Sequence, residues 1–467
     1  MPVIFITDAL IFLLVFMVAL FIWYSSRHEH LRAPWRRVGE NPVAMASAVI
    51  LLFYVSIGLL DSIHFHPRLE STRTENAQYS TRILSVFDVL TRKLQIQTER
   101  TYSAPFAVHA FSREMLVLPN GKEVRDYPRL KYGGNHLDNP DKELIPDIIL
   151  KTFIGMLIGM TVWIFLTVII VFIISRVRKQ NIQTVFISII KCQGNIPWHV
   201  IFITLCLLVL IASSVIWLSG YYHVLGTDKV GQDVLYQALK GIRTGLLIGT
   251  LTTLVMLPFA IAMGIMAGYF RGFIDDIIQY IYTTLNSIPG VLLIAASILM
   301  LDVYMTIHAD NFTSLEQRAD MRLLFLCMIL GIMSWTGLCR LLRGETMKLA
   351  EIDYVQAAHA FGVSHIKIMV RHILPNVMHI VMISIVIDFS GLVLAEAVLA
   401  YINIGVDPSM SSWGNMINSA RLEMAREPVV WWSLFAAFVF MLGLVLPANL
   451  FADAVRDAFD PRIRTIK

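Results

Sequence analysis

Nine long apolar stretches, near residues 4–24, 43–60, 149–175, 198–219, 244–270, 277–301, 322–342, 377–400 and 429–451, constrain this chain more than any other feature. Each is close to the ~20 residues an α-helix needs to cross a bilayer. A transmembrane β-barrel would instead show segments of about ten residues with alternating polarity, and the chain has none. With 56% hydrophobic residues, 15% charged residues and a mean hydropathy of +0.66, the 467-residue chain is too apolar for a soluble globule. The sequence predicts an all-α polytopic membrane protein with about nine transmembrane helices.

An odd number of spans puts the two termini on opposite sides. The positive-inside rule orients them: Arg27, Arg32, Arg36 and Arg37 mark the first loop as cytoplasmic, and Arg176, Arg178, Lys179 and Lys191 mark the third. The N-terminus is then outside, and the loop around Gln356 and the tail Arg456–Lys467 are inside. The net charge of +4 is small and its positive residues flank membrane ends, so the lipid bilayer is the expected contact and nucleic acid is not. The polar stretch of residues 61–148 is placed outside by its neighbours. There Ile83, Val86, Phe87, Leu90 and Leu94 follow helical spacing, while Met115 to Leu118 and Val124 flank Asn120-Gly121, a hairpin turn signal, so a small α+β domain is expected. Residues 1–60 then hold two N-terminal spans, 149–190 a third span with a cytoplasmic linker, and 195–467 the rest. Four scattered cysteines, Cys192, Cys206, Cys327 and Cys339, give neither a disulfide framework nor zinc spacing, and His64 with His66 lacks a third ligand, so no metal site is expected. Ile4 to Tyr24 has no basic n-region or small-residue cleavage site and reads as a retained helix.

The segment Tyr354 to Asn376 is a polar, glycine-broken insert between two apolar runs. Tyr354 to Phe361 are good helix formers, Gly362 breaks the helix, and Lys367, Arg371 and His372 lead to Leu374-Pro375, where proline can open the next helix. Paired Ala357 and Ala358 leave an exposed helix with almost no side-chain bulk, so another protein can approach its backbone closely. The pattern resembles the cytoplasmic EAA loop of ABC-importer permeases, whose short coupling helix sits in a groove of the ATP-hydrolysing subunit. The usual opening Glu-Ala-Ala is here Gln356-Ala357-Ala358, followed by Gly362 and Leu374-Pro375. Since Gln356 carries no charge, any ionic clasp must come from Glu351 or Asp353.

From about Pro197 the chain resembles the dipeptide/oligopeptide branch of these permeases, over about 270 of 467 residues. Gly226-Thr227-Asp228 and Gly231-Gln232-Asp233-Val234-Leu235 match a signature in which Gln232 replaces the usual arginine, and their aspartates are suited to capping helix N-termini. Gly268-Tyr269 with Gly272 and Asp275 resembles a tight cytoplasmic turn. Glu396-Ala397, Ile404-Gly405-Val406, Pro408 and Ser412-Trp413-Gly414-Asn415-Met416 resemble the segment after the EAA loop, with Asn403 and the single Pro408 as departures. The tail from Ala454 to Arg462 also matches. The first ~190 residues lie outside the resemblance, which implies a six-helix type I importer core with three extra N-terminal helices.

That resemblance implies a bacterial inner-membrane permease working with a second, related permease, two ATP-binding subunits and an extracytoplasmic substrate-binding protein. No GxxxxGK[ST] phosphate loop occurs in the chain, so it is no enzyme and binds no cofactor itself; ATP and Mg would sit on the partner ATPases. Coupling is assigned to Glu351, Asp353, Tyr354, Gln356, Ala357, Ala358, Phe361, Gly362, Leu374 and Pro375. Along the path, Asp388 stands out: a mid-span carboxylate costs ~2.5–3.5 kcal/mol on insertion scales, so it should face a cavity, or bond internally to a group such as Ser384. Glu396, nearer the outer end, is expected to shape an outer gate. Asn286, Ser287, Thr252 and Thr253 are candidates to line the path, although Ser and Thr also bond back to their own helix. Pro258 and Pro289 are expected to kink their spans. Two other readings remain: a membrane sensor using the external domain, and an importer of a non-peptide solute such as nickel. An ion-driven carrier should carry several deep charges, and only Asp388 is deep.

Overall fold

The computed structural model describes residues 2–27, 29–68, 79–117, 123–181, 183, 184, 187, 189, 195–312 and 314–459. Leu118, the Asn120-Gly121 turn, Lys191, Cys192 and the tail from Asp460 to Lys467 lie outside the described residues. In chain order the helices are α1 Ile6–Arg27, α2 Glu29–Glu40, α3 Pro42–Asp61, α4 Val86–Leu90, α5 Arg92–Ile96, α6 Pro140–Arg178, α7 Trp198–Leu218, α8 Val234–Phe270, α9 Gly272–Ser287, α10 Gly290–Ile307, α11 Leu315–Leu349, α12 Asp353–Ala360, α13 His365–Ile368, α14 Leu374–Tyr401, α15 Trp413–Glu423 and α16 Trp432–Phe459. Short strands are β1 Pro2–Val3, β2 His64–Phe65, β3 Leu84–Ser85, β4 Glu114–Val117 and β5 Glu123–Asp126.

Among the described residues, nine helices are long and apolar enough to span a membrane. The expected run at 277–301 is redrawn. Ile288 leaves the helix with extended backbone and Pro289 caps the next one, so α9 ends at Ser287 and only α10 is a candidate span. Pro289 therefore divides two helices, because its ring disfavours helical backbone at Ile288, whereas α8 runs on unbroken through Pro258. With 37 residues at 1.5 Å each, α8 runs for about 55 Å, well beyond the ~30 Å hydrocarbon layer. Its first turns are therefore free to carry Lys240 and Arg243.

The chain forms two compact units. One comprises the N-terminal residues through Val3, Arg36–Thr244 and Ser411–Pro447. Here α7 packs against α3 and α6, leaving Phe153, Phe165, Ile203 and Ile211 exposed as a lipid-facing surface. Asn41 starts α3 by accepting from Val43 N and Ala44 N, with Pro42 in the first turn. In the segment between α3 and α6, β2 and β3 pair with the N-terminal β1 in an antiparallel sheet, with His64 opposite both Val3 and Ser85. The helix expected from Ile83 to Leu94 is instead two five-residue helices preceded by β3. Ser85 and Asp88 form a reciprocal capping box at the start of α4, and the Thr91 hydroxyl bonds Phe87 O where α4 stops. β4 and β5 pair with Glu114 opposite Asp126 and Val117 opposite Glu123, as the hairpin signal predicts.

The other unit comprises Ile4–Trp35, Gly245–Met410 and the chain from Ala448 onward. Met256, Ile278, Trp335, Leu342, Val355, Ile368, Ile373 and Val377 share one buried cluster, which draws α8, α9, α11, α12, α13 and α14 together. α1 lies against α11, where Thr7 donates to the buried carboxylate of Asp320. Between α13 and α14, Met369–Ile373 form a π-helical turn, so the helix continues to Pro375 without the regular spacing that a proline would disrupt.

Candidate functional site

The connection from α11 to α14 carries the short helix α12 and the clefts beside it. Asp353 stands in the first turn of α12, where the helix dipole favours a carboxylate. The helix ends in a Schellman motif: Val363 N bonds Ala358 O at 3.1 Å and Gly362 N bonds His359 O at 3.0 Å. Gly362 sits at φ +73°, a conformation that suits glycine and resists side chains. The helix thus stops where the sequence places the break.

Val355 is 2% exposed and roots α12 in the buried cluster, and Ala358 packs against the same cluster. Gln356, Ala357, His359 and Ala360 face outward. The expectation of a nearly bare helix needs correction. The two alanines divide between inner and outer faces, and Phe361, at the C-terminal end, is 87% exposed. An exposed aromatic ring at the end of α12 is the prominent part of this surface.

Glu351 does not stand free. Arg271, in the turn between α8 and α9, donates to Glu351 Oε1 at 2.8 Å and to Met347 O at 3.0 Å. Both partners are more than a third exposed, so this pair contributes at most about 1 kcal/mol. Asp353 makes no ion pair among the described residues. Tyr354 OH accepts from Asn376 Nδ2 at 2.9 Å and ties α12 to the start of α14, where Leu374 is half-buried and Pro375 exposed in the first turn.

One cleft lies beside α12 and a second beside α13 and the start of α14. The first, of about 810 Å³, is lined by Tyr269, Arg271, Glu351, Gln356, His359 and His365, and within it Tyr269 OH and His365 Nδ1 are 2.9 Å apart. The other, of about 760 Å³, is mainly apolar, with Lys367 and Arg371 on its wall beside Ile366, Val370 and Pro375. Beneath them Arg343 makes a bidentate pair with Asp275, at 2.5 Å and 2.6 Å. Hydrogen bonding to Arg343 outweighs burial and holds the Asp275 carboxyl below its ordinary range, so the pair stays ionised. Asp275 thus belongs to the support of the turn. Gly268 lies inside α8 rather than in that turn, which Arg271 and Gly272 make, both at φ +54°.

The candidate path residues do not form one site. Thr252 is fully buried, and Thr253, also buried, donates to Gly249 O of its own helix at 2.6 Å. Asn286 and Ser287 are exposed at the end of α9; Asn286 accepts from Thr336 at 3.2 Å, and Ser287 bonds back to Thr284 O. Asp388 is half-buried in α14, with no hydrogen bond to Ser384 among the described residues, and Glu396, two turns on, is buried. Sequence reasoning passed over Arg271, His359 and His365. The only signal for them was polarity beside a glycine turn or an apolar run.

Of the signature aspartates upstream, Asp233 takes the expected capping role and Asp228 instead holds the loop. Asp233 accepts from Leu235 N and Tyr236 N at the start of α8, and Asp228 accepts from Val230 N and Gln232 N within the loop.

Residues 260–465 match the family described as binding-protein-dependent transport system inner membrane component. The chain is 32% identical over 248 residues to the oligopeptide transport system permease protein OppC of Mycobacterium bovis, covering 53% of this chain and 79% of that one. It is 30% identical to the dipeptide transport system permease protein DppC of Lactococcus lactis, covering 51% and 64% of the two chains. It is also 30% identical to the glutathione transport system permease protein GsiD of Pectobacterium atrosepticum, covering 52% and 74%.

Proposed function

Because the chain belongs to the dipeptide/oligopeptide branch of the binding-protein-dependent inner-membrane transport components, as a permease subunit of an ABC importer and not a catalytic one, we propose that it carries short peptides inward in a complex driven through α12. The complex would contain a second, related permease, two ATPase subunits that hold ATP and Mg, and an extracytoplasmic binding protein. In this reading the N-terminus is outside, and α12, the Arg271 turn and the C-terminal tail face the cytoplasm.

The observation that carries the proposal is the pairing of Val355, 2% exposed within the eight-residue α12, with Phe361, 87% exposed at its C-cap. One end of that helix is fixed in the buried cluster that joins several spans, and the other offers a ring to a partner. When nucleotide draws the ATPases together, a helix so anchored transmits the displacement to α8, α11 and α14 and does not simply swivel. Coupling requires contacts that differ between the two states of the complex, and a rigid connection supplies them. Asp388, Glu396, Asn286 and Ser287 remain our candidates for the passage. Thr252 and Thr253 stay with them in the proposal, acting through the packing of α8.

The test is Ala357→Arg, at an exposed position whose substitution leaves the buried cluster intact. Co-purification with the ATPase subunits should be lost while the permease keeps its melting temperature. Retained ATPase binding in that variant would sink the assignment of α12 as the coupling helix.

A further inference from the structure

Residues between α3 and α6 are docked on the loop before α8 by backbone pairing and by buried charge, all within one compact unit. Glu99 N donates to Gly231 O at 2.9 Å, Phe106 N to His223 O at 3.0 Å, Thr227 N to Ser103 O at 3.1 Å, and Gly134 N to Tyr221 O at 2.9 Å. Ser103 N also bonds the Thr227 hydroxyl at 2.7 Å. The cover is close enough that a Cβ on Gly231, at φ +75°, would lie 2.0 Å from Glu99 O. Trp432 closes one side, donating to Thr227 O at 2.9 Å and meeting the Phe111 ring edge-on at 4.9 Å.

Two ion clusters lock this contact. Lys240 of α8 lies 3.0 Å from Asp61 at the end of α3 and 3.0 Å from Asp88 of α4. Ser85 donates to Asp61 at 2.6 Å and Tyr236 to Asp88 at 2.7 Å. In the second cluster the buried His223 ring sits between Asp233, at 2.7 Å, and Glu99, at 3.4 Å. Glu99 also accepts from the backbone N–H groups of Lys131, Tyr132 and Gly133. Burial pushes the His223 imidazole down, but its hydrogen bond to Asp233 and its ion pair with Glu99 outweigh burial and hold it at about 9. Burial likewise raises Glu99, and the ion pair with His223 and the bonds from the three amides bring it to about 2.

Ions removed from water in this way are tolerated only while paired, because taking one partner away strands a buried charge. Moving lids come from the weakly packed, low-stability end of a structure, and this contact lies at the other end. We propose that residues 62–68, 79–117 and 123–139 are a fixed brace on the outer loop of their own permease core, clamped shut by Lys240 and His223, and not a lid that swings during transport. Rearrangement that opens a path must then occur away from the first turns of α8.

Limited proteolysis of the purified full chain in detergent tests this without reference to substrate or sidedness. Lys240→Met should speed cleavage within residues 79–117 and 123–139 roughly a hundredfold, since cleavage follows the open population. The triple variant Asp61→Asn, Asp88→Asn, Lys240→Met, which leaves no stranded charge, should recover most of the protection. A second variant pair, Ser103→Cys with Thr227→Cys in an otherwise unaltered chain, covers the case in which Lys240→Met fails to fold. Its disulfide should form on mild oxidation without changing the cleavage rate. Cleavage of the Lys240→Met chain at the parental rate, or a marked fall in cleavage once the Cys pair is joined, would overturn the brace.

Discussion

Replacing Phe361 by alanine isolates the contribution of the exposed ring. Phe361 is 87% exposed, so it touches little of its own chain, and surface substitutions of this kind usually leave stability within about 0.5 kcal/mol. In the assembled transporter the ring should pass from water into a partner groove. Full burial of a phenylalanine side chain contributes about 1.5–3 kcal/mol, or roughly a ten- to hundredfold change in affinity at ~1.4 kcal/mol per decade. The assay is titration of nanodisc-held permease with its ATPase subunits, read beside the thermal melt of the permease alone. Phe361→Ala should weaken binding by that factor and leave the melt in place. Val355→Ala is the contrasting control, because a fully buried valine loses transfer free energy and leaves a cavity, lowering stability by roughly 2 kcal/mol. Unchanged ATPase affinity for Phe361→Ala would refute the docking of this ring.

Other outcomes follow from the same geometry. Gly362→Ala should fray the end of α12 and cost about 1–2 kcal/mol from its left-handed backbone alone, since a Cβ there meets nothing within 4 Å. Gly362→Asn should be milder, because Asn403 already occupies φ +66° at the end of α14; hydrogen exchange at Val363 reads both, and equal exchange in alanine variant and parent would count against the strain argument. For the brace, His223 has a folded pKa of about 9 against an ordinary 6.5, so its stabilisation is fully present below about pH 6.5 and is lost as pH rises through 9. Glu99, at about 2 against 4.5, contributes above pH 4.5 and loses its contribution as pH falls through 2. Protease resistance of residues 79–117 and 123–139 should therefore be greatest near pH 4.5–6.5. Its alkaline decline, worth roughly 3 kcal/mol in all, should vanish in His223→Gln; persistence of that decline in the variant would assign it to another group.

Periodicity and length made the membrane-spanning helices legible, because burial in lipid requires long uninterrupted apolar runs. The break at Ile288-Pro289 escaped that reading, since hydropathy averages across a proline whose effect is on backbone angles. The end of α12 was legible because Gly362 leaves few alternatives. What sequence could not supply was the direction each side chain takes. Ala357 and Ala358 are identical as letters, yet one faces out and the other packs on the cluster around Val355. Glu351 read as a free carboxylate until Arg271, 80 residues earlier, was found beside it. The clamp on the loop before α8 was hidden for the same reason. Its partners Glu99 and His223 are 124 residues apart, and each alone is an ordinary polar residue next to a membrane segment.

These placements decide how α12 can hold a partner. Where the resembling loops carry glutamate, this chain has neutral Gln356, and one of its two upstream carboxylates, Glu351, is already met by Arg271. An exposed ion pair to a partner would add at most about 1 kcal/mol, less than burial of the Phe361 ring supplies. On the proposed docking, the remaining charge, Asp353 with Lys367 and Arg371, would orient an approaching surface and fix its register more than hold it. Grip would then fall to the ring and to the face at Ala357. A grip made by packing suits a coupling element, because close-packed groups transmit a displacement over short distances, whereas a solvated ion pair stretches at little cost.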